Sequence, residues 1–413
     1  MINYETQTLA NGLQVIVHED KRTNIAVLNV AYKVGSRDEH EDHTGFAHLF
    51  EHLMFGGSLN ISSYDEPLQK AGGENNAYTT PDLTNYYLTV PANNIETGFW
   101  LESDRMLSLS FEPKVLDVQR KVVIEEFNQR YINQPYGDVW HKLREMVYKV
   151  HPYKWPTIGK DISHIETATM DLVKAFFKKY YLPNNAVLVV AGNIKAVKAF
   201  SLAEKWFGPI PKGEEVQRTI ADEPAQDEKR VLEVHEAVPA NAYYKAFNMG
   251  GRIADSYYTT DLLSDILGRG KSSRLNEQLV EKDKTFSDIS AYVMGSFDPG
   301  LLVISGKLTA GTTFVEAERG VSEVIDNLLN AVPSQTELEK VKNQAISSLA
   351  FGEVQVLNRA MNLAYFALLG DANLANTEGE KLQAINSQDI LAQGQEILTE
   401  KNSSTLYYHA NEN

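Results

Sequence analysis

His48-Leu49-Phe50-Glu51-His52 places two imidazoles four residues apart with a carboxylate between them. Around it, from Gly45 to Gly57, the apolar residues Phe46, Leu49, Phe50, Leu53 and Met54 recur three and four apart. That spacing predicts an amphipathic helix ended by the Gly56-Gly57 pair. On such a helix His48 and His52 stand one turn apart on one face, separated by about 6 Å of rise. Two imidazoles so placed can grip one metal ion, and tetrahedral Zn²⁺ is the usual occupant. Glu51, three residues after His48, lies on nearly the same face, where it can hold a metal-bound water and take its proton. The plainer reading is a helix face with two ordinary histidines. Against it, three ionisable groups on a mostly apolar stripe are costly unless a metal or a partner uses them.

A third ligand must come from elsewhere in the chain. A long helix is expected over residues 115–131, containing Gln119-Arg120-Lys121-Val122-Val123-Ile124-Glu125-Glu126-Phe127. Glu125 and Glu126 point about 100° apart, so only one can face the site. With Val122, Val123 and Phe127 turned inward, Glu126 is adjacent to that face, but pattern alone leaves the choice open. Three protein ligands would leave a fourth position for water, the catalytic arrangement. Zinc lowers the pKa of such a water to about 7. Glu51 would act as general base and then general acid, and peptide-bond hydrolysis is the leading reaction class.

The elements that must position these residues follow from the rest of the chain. Its 413 residues, 43% hydrophobic and 23% charged, suit a globular protein of two or more domains. The net charge of -16 argues against nucleic acid as a partner. Without cysteine there is no disulfide framework and no thiolate site, so a metal must use His, Asp or Glu. No basic leader with an apolar core opens the chain and no apolar stretch reaches membrane-spanning length, so a cytoplasmic location is expected unless a signal has been removed.

Residues 25–32 and 185–192 read as buried strands. The acidic loop 36–43 holds His40 and His43, read as solvated. Gly72-Gly73-Glu74-Asn75-Asn76-Ala77-Tyr78-Thr79-Thr80 leads into a strand at 84–90 and leaves an open edge to which an extended peptide could add. Helices are expected at 95–109, 138–149, 170–180 and 196–207. The expected domains are 1–210, bearing the metal residues, and 230–413, joined by a Pro-, Gly- and charge-rich linker at 211–229. The second half repeats the first in order: 242–251 parallels the strand through Tyr32, 260–267 the histidine helix, 336–350 the glutamate helix with Ser348 at the place of Glu126, and 404–410 the strand at Asn185. The repeat has lost the metal set, which suggests that it binds or encloses substrate.

These segments resemble the inverzincin, or pitrilysin-like, zinc metallopeptidase family, to which insulin-degrading enzyme and mitochondrial processing peptidase belong. The likeness runs over nearly the whole chain. It is carried by His48-Leu49-Phe50-Glu51-His52, Asn76-Ala77-Tyr78-Thr79, the stretch from Arg120 to Glu126, and Gly268-Arg269-Gly270-Lys271-Ser272-Ser273-Arg274-Leu275. The resemblance implies that His48, His52 and Glu126 bind zinc, that Glu51 is the base, and that Asn76, Ala77 and Tyr78 lie on the substrate-binding strand. It takes Glu126 over Glu125. The fold it implies is α+β: two structurally similar α/β-sandwich halves in tandem, each a mixed sheet with helices packed on one face. The activity implied is that of a zinc-dependent endopeptidase acting on peptides or unfolded polypeptide, as a homodimer or as a heterodimer with a related chain. The alternative is a non-catalytic or partner-dependent subunit of a heterodimeric peptidase, or an assembly scaffold. Two departures stand out. Gln119 occupies a position where relatives often carry an acidic residue that supports a zinc histidine. The Arg expected near Leu302 is absent, which points to a partner supplying it.

Overall fold

Two near-continuous apolar runs, Ile25–Tyr32 (β3) and Ala186–Gly192 (β6), lie side by side at the centre of a six-stranded sheet in the computed structural model, which describes residues 1–411. Glu5–Thr8 (β1), Gln14–Glu19 (β2), Glu74–Thr79 (β4) and Thr84–Pro91 (β5) complete it in the order β1-β2-β6-β3-β5-β4. β2 and β6 pair in parallel and the other neighbours are antiparallel. Strands apolar on both sides need cover on both faces. Ala26, Leu28, Val30 and Tyr32 share a core with Leu49, Phe50 and Phe99 of helices Phe46–Leu53 and Ile95–Leu107. Val27 and Val189 alternate to the other face, where helix Val356–Leu368 packs on β6 and β3. Arg359 fastens that helix to Asp20, just past β2, at 2.7 Å.

The second sheet joins Arg230–Glu236 (β7), Ala242–Met249 (β8), Phe286–Met294 (β9), Gly300–Leu308 (β10) and Ser403–Ala410 (β11) in the order β7-β11-β8-β10-β9. Again the β7–β11 pair is parallel and the rest antiparallel. Setting β1 aside, this is the first sheet strand for strand, so the faint repeat in sequence is a repeat of topology. Helix Val139–Val147 packs on β11, β7 and β8 and buries Leu143 and Val147 there. The mixed sheets with their helices are those expected. The helix cover extends to a second face of the first sheet, beyond the single covered face expected.

The chain divides differently from the expected 1–210 and 230–413. One unit comprises Met1–Ile132, His151–Ala221 and Phe351–Thr377; the other comprises Asn133–Val150, Asp222–Ala350 and the chain from Glu378 onward. Each unit takes one helix from the opposite half of the sequence, because each sheet has apolar surface that its own stretch of chain leaves bare. Residues 211–227 form neither helix nor strand, in keeping with their composition, yet Arg218 is pinned to Asp38 at 2.7 Å. No helix among the described residues is long and apolar enough to cross a membrane.

Helix Phe46–Leu53 is fastened at both ends. At its start Gly45 takes φ +85°, and a Cβ there would lie 2.6 Å from the Ile158 carbonyl oxygen. The buried carboxylate of Glu39 accepts hydrogen bonds from Gly45 N at 2.9 Å and Ala47 N at 2.8 Å, filling two donors that a helix start leaves unmet. Past its end, the buried Arg105 guanidinium lies over the rings of Phe55, Tyr64 and Tyr86 and pairs with buried Glu102 at 2.6 Å.

Helix Tyr257–Gly268 holds the corresponding place between β8 and β9. Just after it Arg269 bonds Asp265 at 2.9 Å and Ser348 at 3.2 Å, so an ion pair and a hydroxyl stand where the first unit has imidazoles and a carboxylate. One turn before Asp265, Asp261 is pushed up to about 6 by burial and then by the Asp265 charge, with Arg252 and Arg269 opposing and Glu378 adding to the rise.

Two outcomes are expected. Glu39→Ala strands two buried N–H groups, and urea denaturation should show a loss on the order of 2 kcal/mol. For Asp261 the folded protein holds its proton to higher pH than the unfolded chain. Stability therefore falls as pH rises from about 4 to 6 and stays lower above. Asp261→Asn should gain on the order of 2–3 kcal/mol above pH ~6, and thermal melts at pH ~4 should show that gain gone.

Candidate metal centre

The apolar face of helix Phe46–Leu53 is buried through Phe46, Ala47, Leu49, Phe50 and Leu53, leaving His48, Glu51 and His52 on a half-buried face. Phe50 stacks on Phe176 and Tyr181 with ring centroids 5.0 Å apart, which fixes the helix's rotation about its axis. The His48 and His52 rings stand perpendicular, 4.9 Å between centroids.

Helix Pro113–Phe127 brings Glu126 to them. Its Oε2 lies 3.7 Å from His48 Nε2 and 3.5 Å from His52 Nε2, and one donor atom of each residue lies within 4.8 Å of the other two. Oε1 pairs with Arg130 at 2.8 Å, and Arg130 sits in the wide helical turn Asn128–Ile132 that follows. Glu125 points away to solvent and bonds Gln129 at 2.8 Å. Val123 and Phe127 are buried as expected, whereas Val122 is 43% exposed, so the inward face lies one residue further round than the sequence suggested.

The donor set fits zinc. Ligand distances of about 2.0–2.2 Å in a tetrahedron put donors about 3.4 Å apart, close to the two Nε2–Oε2 separations here. Perpendicular rings let two lone pairs meet at one point. Burial, and then the neighbouring His52, pull the His48 imidazole down to about 4, so it is held in the neutral form that ligates metals. The adjacent His52 ring first, and then the Arg130 guanidinium, hold the Glu126 carboxylate below its ordinary range against the opposing effect of burial. His48 Nδ1 is buried without a hydrogen bond, and among the described residues Gln119, which stands where relatives often carry a supporting acid, bonds neither histidine.

Glu51 is raised by burial, opposed first by the hydroxyl of Thr79, which donates to its Oε2 at 2.6 Å. Thr79 ends β4, the outermost strand of its sheet, whose far side has no partner strand among the described residues. Glu74–Thr79 is thus a strand, as the family resemblance implied for Asn76, Ala77 and Tyr78, where pattern alone gave an open edge leading into the strand at 84–90. Alternation from Thr79 turns Ala77 to the helix side and Asn76 and Tyr78 to the other. The Asn76 side chain accepts from its neighbour Ala77 N at 2.8 Å. Burial pushes the Tyr78 hydroxyl up to about 12.

Other expectations resolve outside the centre. His40 is exposed, and His43 rests on Phe46 at 5.9 Å between ring centroids; neither joins the donor cluster. Leu302 is fully buried in the core of the second unit. An Arg at that position itself would lie in the core. Glu39 and Thr79 were the functional positions that pattern did not reveal; an acid shortly before the Gly that opens the helix is the one hint the sequence offered for the first.

Comparison with known proteins agrees with this geometry. Residues 14–161 match the family described as Insulinase (Peptidase family M16), and residues 167–345 match the Peptidase M16 inactive domain. The chain is 32% identical over 353 residues to the zinc protease PqqE of Helicobacter pylori, covering 82% of this chain and 78% of that one. It is 29% identical over 212 residues to the β subunit of the mitochondrial-processing peptidase of Saccharomyces cerevisiae, covering 51% of this chain and 45% of that one. A crystal structure of a protease from Helicobacter pylori superposes with a TM-score of 0.94 at 26% identity over 99% of both chains. Pitrilysin shares the fold with a TM-score of 0.79 at 18% identity, over all of this chain and 45% of its own. The chain therefore belongs to the M16 (insulinase or pitrilysin) family of zinc proteases, in its short two-domain form.

Proposed function

We propose that this chain is a zinc-dependent endopeptidase that hydrolyses peptides or unfolded protein segments. One observation carries the reading: His48, His52 and Glu126 converge while Glu51, on the same helix, presents a carboxylate aimed by Thr79. His48, His52 and Glu126 would hold the ion. Zinc, when bound, supplies Lewis-acid polarisation of a carbonyl and acidification of water. Glu51 takes a proton from the attacking water and returns it to the departing amine, its raised affinity for protons suiting both steps. The Thr79 hydroxyl occupies one carboxylate oxygen and leaves the other for the proton.

Substrate would lie on the free side of β4. A terminal strand offers unpaired backbone groups, and an extended peptide can add to it as the next strand. This favours chains without structure of their own. Asn76, Ala77 and Tyr78 would then contribute mainly through their backbone, since Asn76 and Tyr78 turn their side chains away from Glu51. The Asn76–Ala77 contact must yield to, or sit beside, the incoming strand.

Glu51→Gln should retain about one zinc per chain by metal analysis while cleavage of an unfolded peptide drops by 10²–10⁴-fold or more. Full activity in that variant would sink the role given to Glu51. A wild-type chain that holds zinc but cleaves only with a second subunit added would instead support the partner-dependent alternative. Thr79→Val keeps the side chain's shape and removes its hydroxyl. Steady-state kinetics should show kcat reduced by roughly ten- to a hundredfold, with KM and zinc content little changed.

A further inference from the structure

The second unit carries its own convergence of donors at the margin of its sheet. β7 is a terminal strand, and it runs parallel to β11 with His235 directly opposite His409. Glu233, two residues before His235, looks to the same side of the sheet. One donor atom from each of the three residues lies within 4.8 Å of the other two. His409 Nε2 is 3.6 Å from Glu233 Oε2, too far for a hydrogen bond. That nitrogen is buried and has no hydrogen-bond partner. A buried ring nitrogen left unmet beside a carboxylate and a second imidazole calls for a ligand that all three can share.

We propose that Glu233, His235 and His409 form a second cation site, separate from His48, His52 and Glu126, that takes a divalent transition metal such as Zn²⁺. Two imidazoles and one carboxylate suit Zn²⁺, Co²⁺, Ni²⁺ or Cu²⁺; Mg²⁺ and Ca²⁺ prefer an all-oxygen shell. The two sites differ in readiness. The His48 and His52 rings stand at 90°, but those of His235 and His409 are stacked at 14° with centroids 4.1 Å apart. Stacked rings send their lone pairs side by side rather than toward one point, so one ring must turn. His409 is held edge-on by Phe314, 4.6 Å away, whereas His235 and Glu233 are exposed, so His235 is the ring that turns, giving up its stacking on His409. The second site is therefore the weaker of the two. An ion bound there clips the terminal strand β7 to β11.

The test is metal binding by the full chain. Metal-stripped protein is dialysed against rising Co²⁺, and bound cobalt is counted and followed by its visible spectrum. Wild type should take two ions per chain, the second at least tenfold more weakly. His235→Ala and Glu233→Gln, both at exposed positions, should each weaken only that second ion by tenfold or more, leaving the tight ion and peptide cleavage unchanged. His52→Ala should lose the tight ion and keep the weak one. Wild type saturating at one ion, or both second-unit variants still binding two with unchanged affinity, overturns the proposal. If that single ion is lost in His52→Ala, the first site stands and the second alone is rejected.

Discussion

A helix of eight residues cannot hold its shape in water, so the direction of Phe46–Leu53 is set by what fastens its ends. Glu39 supplies acceptors at the start, and the Arg105–Glu102 pair under Phe55 and Tyr64 steadies the exit. Stacking of Phe50 fixes the rotation. With both ends and the rotation determined, His48 and His52 share the face on which their rings meet Glu126.

The two sheets repeat one topology, yet only the first unit has a histidine pair on the helix that follows its third strand. In the second unit Asp265, Arg269 and Ser348 satisfy one another at the equivalent place. A charge pair with a hydroxyl beside it brings no imidazole, whereas the first unit sets two imidazoles 3.5 and 3.7 Å from one carboxylate oxygen. The same helix packing thus supports a self-contained contact in one copy and a ligand-ready one in the other.

Much of this was legible beforehand, for physical reasons that can be named. The His48–His52 spacing fixes a shared face because helix geometry is invariant, and β3 and β6 were readable because apolar runs leave no other placement. The helix at Met170–Tyr180 matched its expected bounds. Glu39 carried no signal because its partners are backbone N–H groups, which leave no trace in a side-chain pattern. Pattern alone did not mark Glu74–Thr79 as a strand, because the polar run Glu-Asn-Asn-Ala-Tyr-Thr lacks the apolar alternation of a paired interior strand; the family resemblance is what put Asn76, Ala77 and Tyr78 on one. The exchanged helices were invisible for a different cause. Periodicity shows that a helix has an apolar face, but not which sheet receives it.

That exchange bears on how the protein is made. The outer face of the first sheet, with Val27 and Val189, is closed by Val356–Leu368, more than three hundred residues after β3 begins. During synthesis the strands and Phe46–Leu53 leave the ribosome long before their last layer exists. The nascent chain must carry a bare apolar face until Val356–Leu368 has been translated, so the unit that holds His48, His52 and Glu126 closes long after its strands are made.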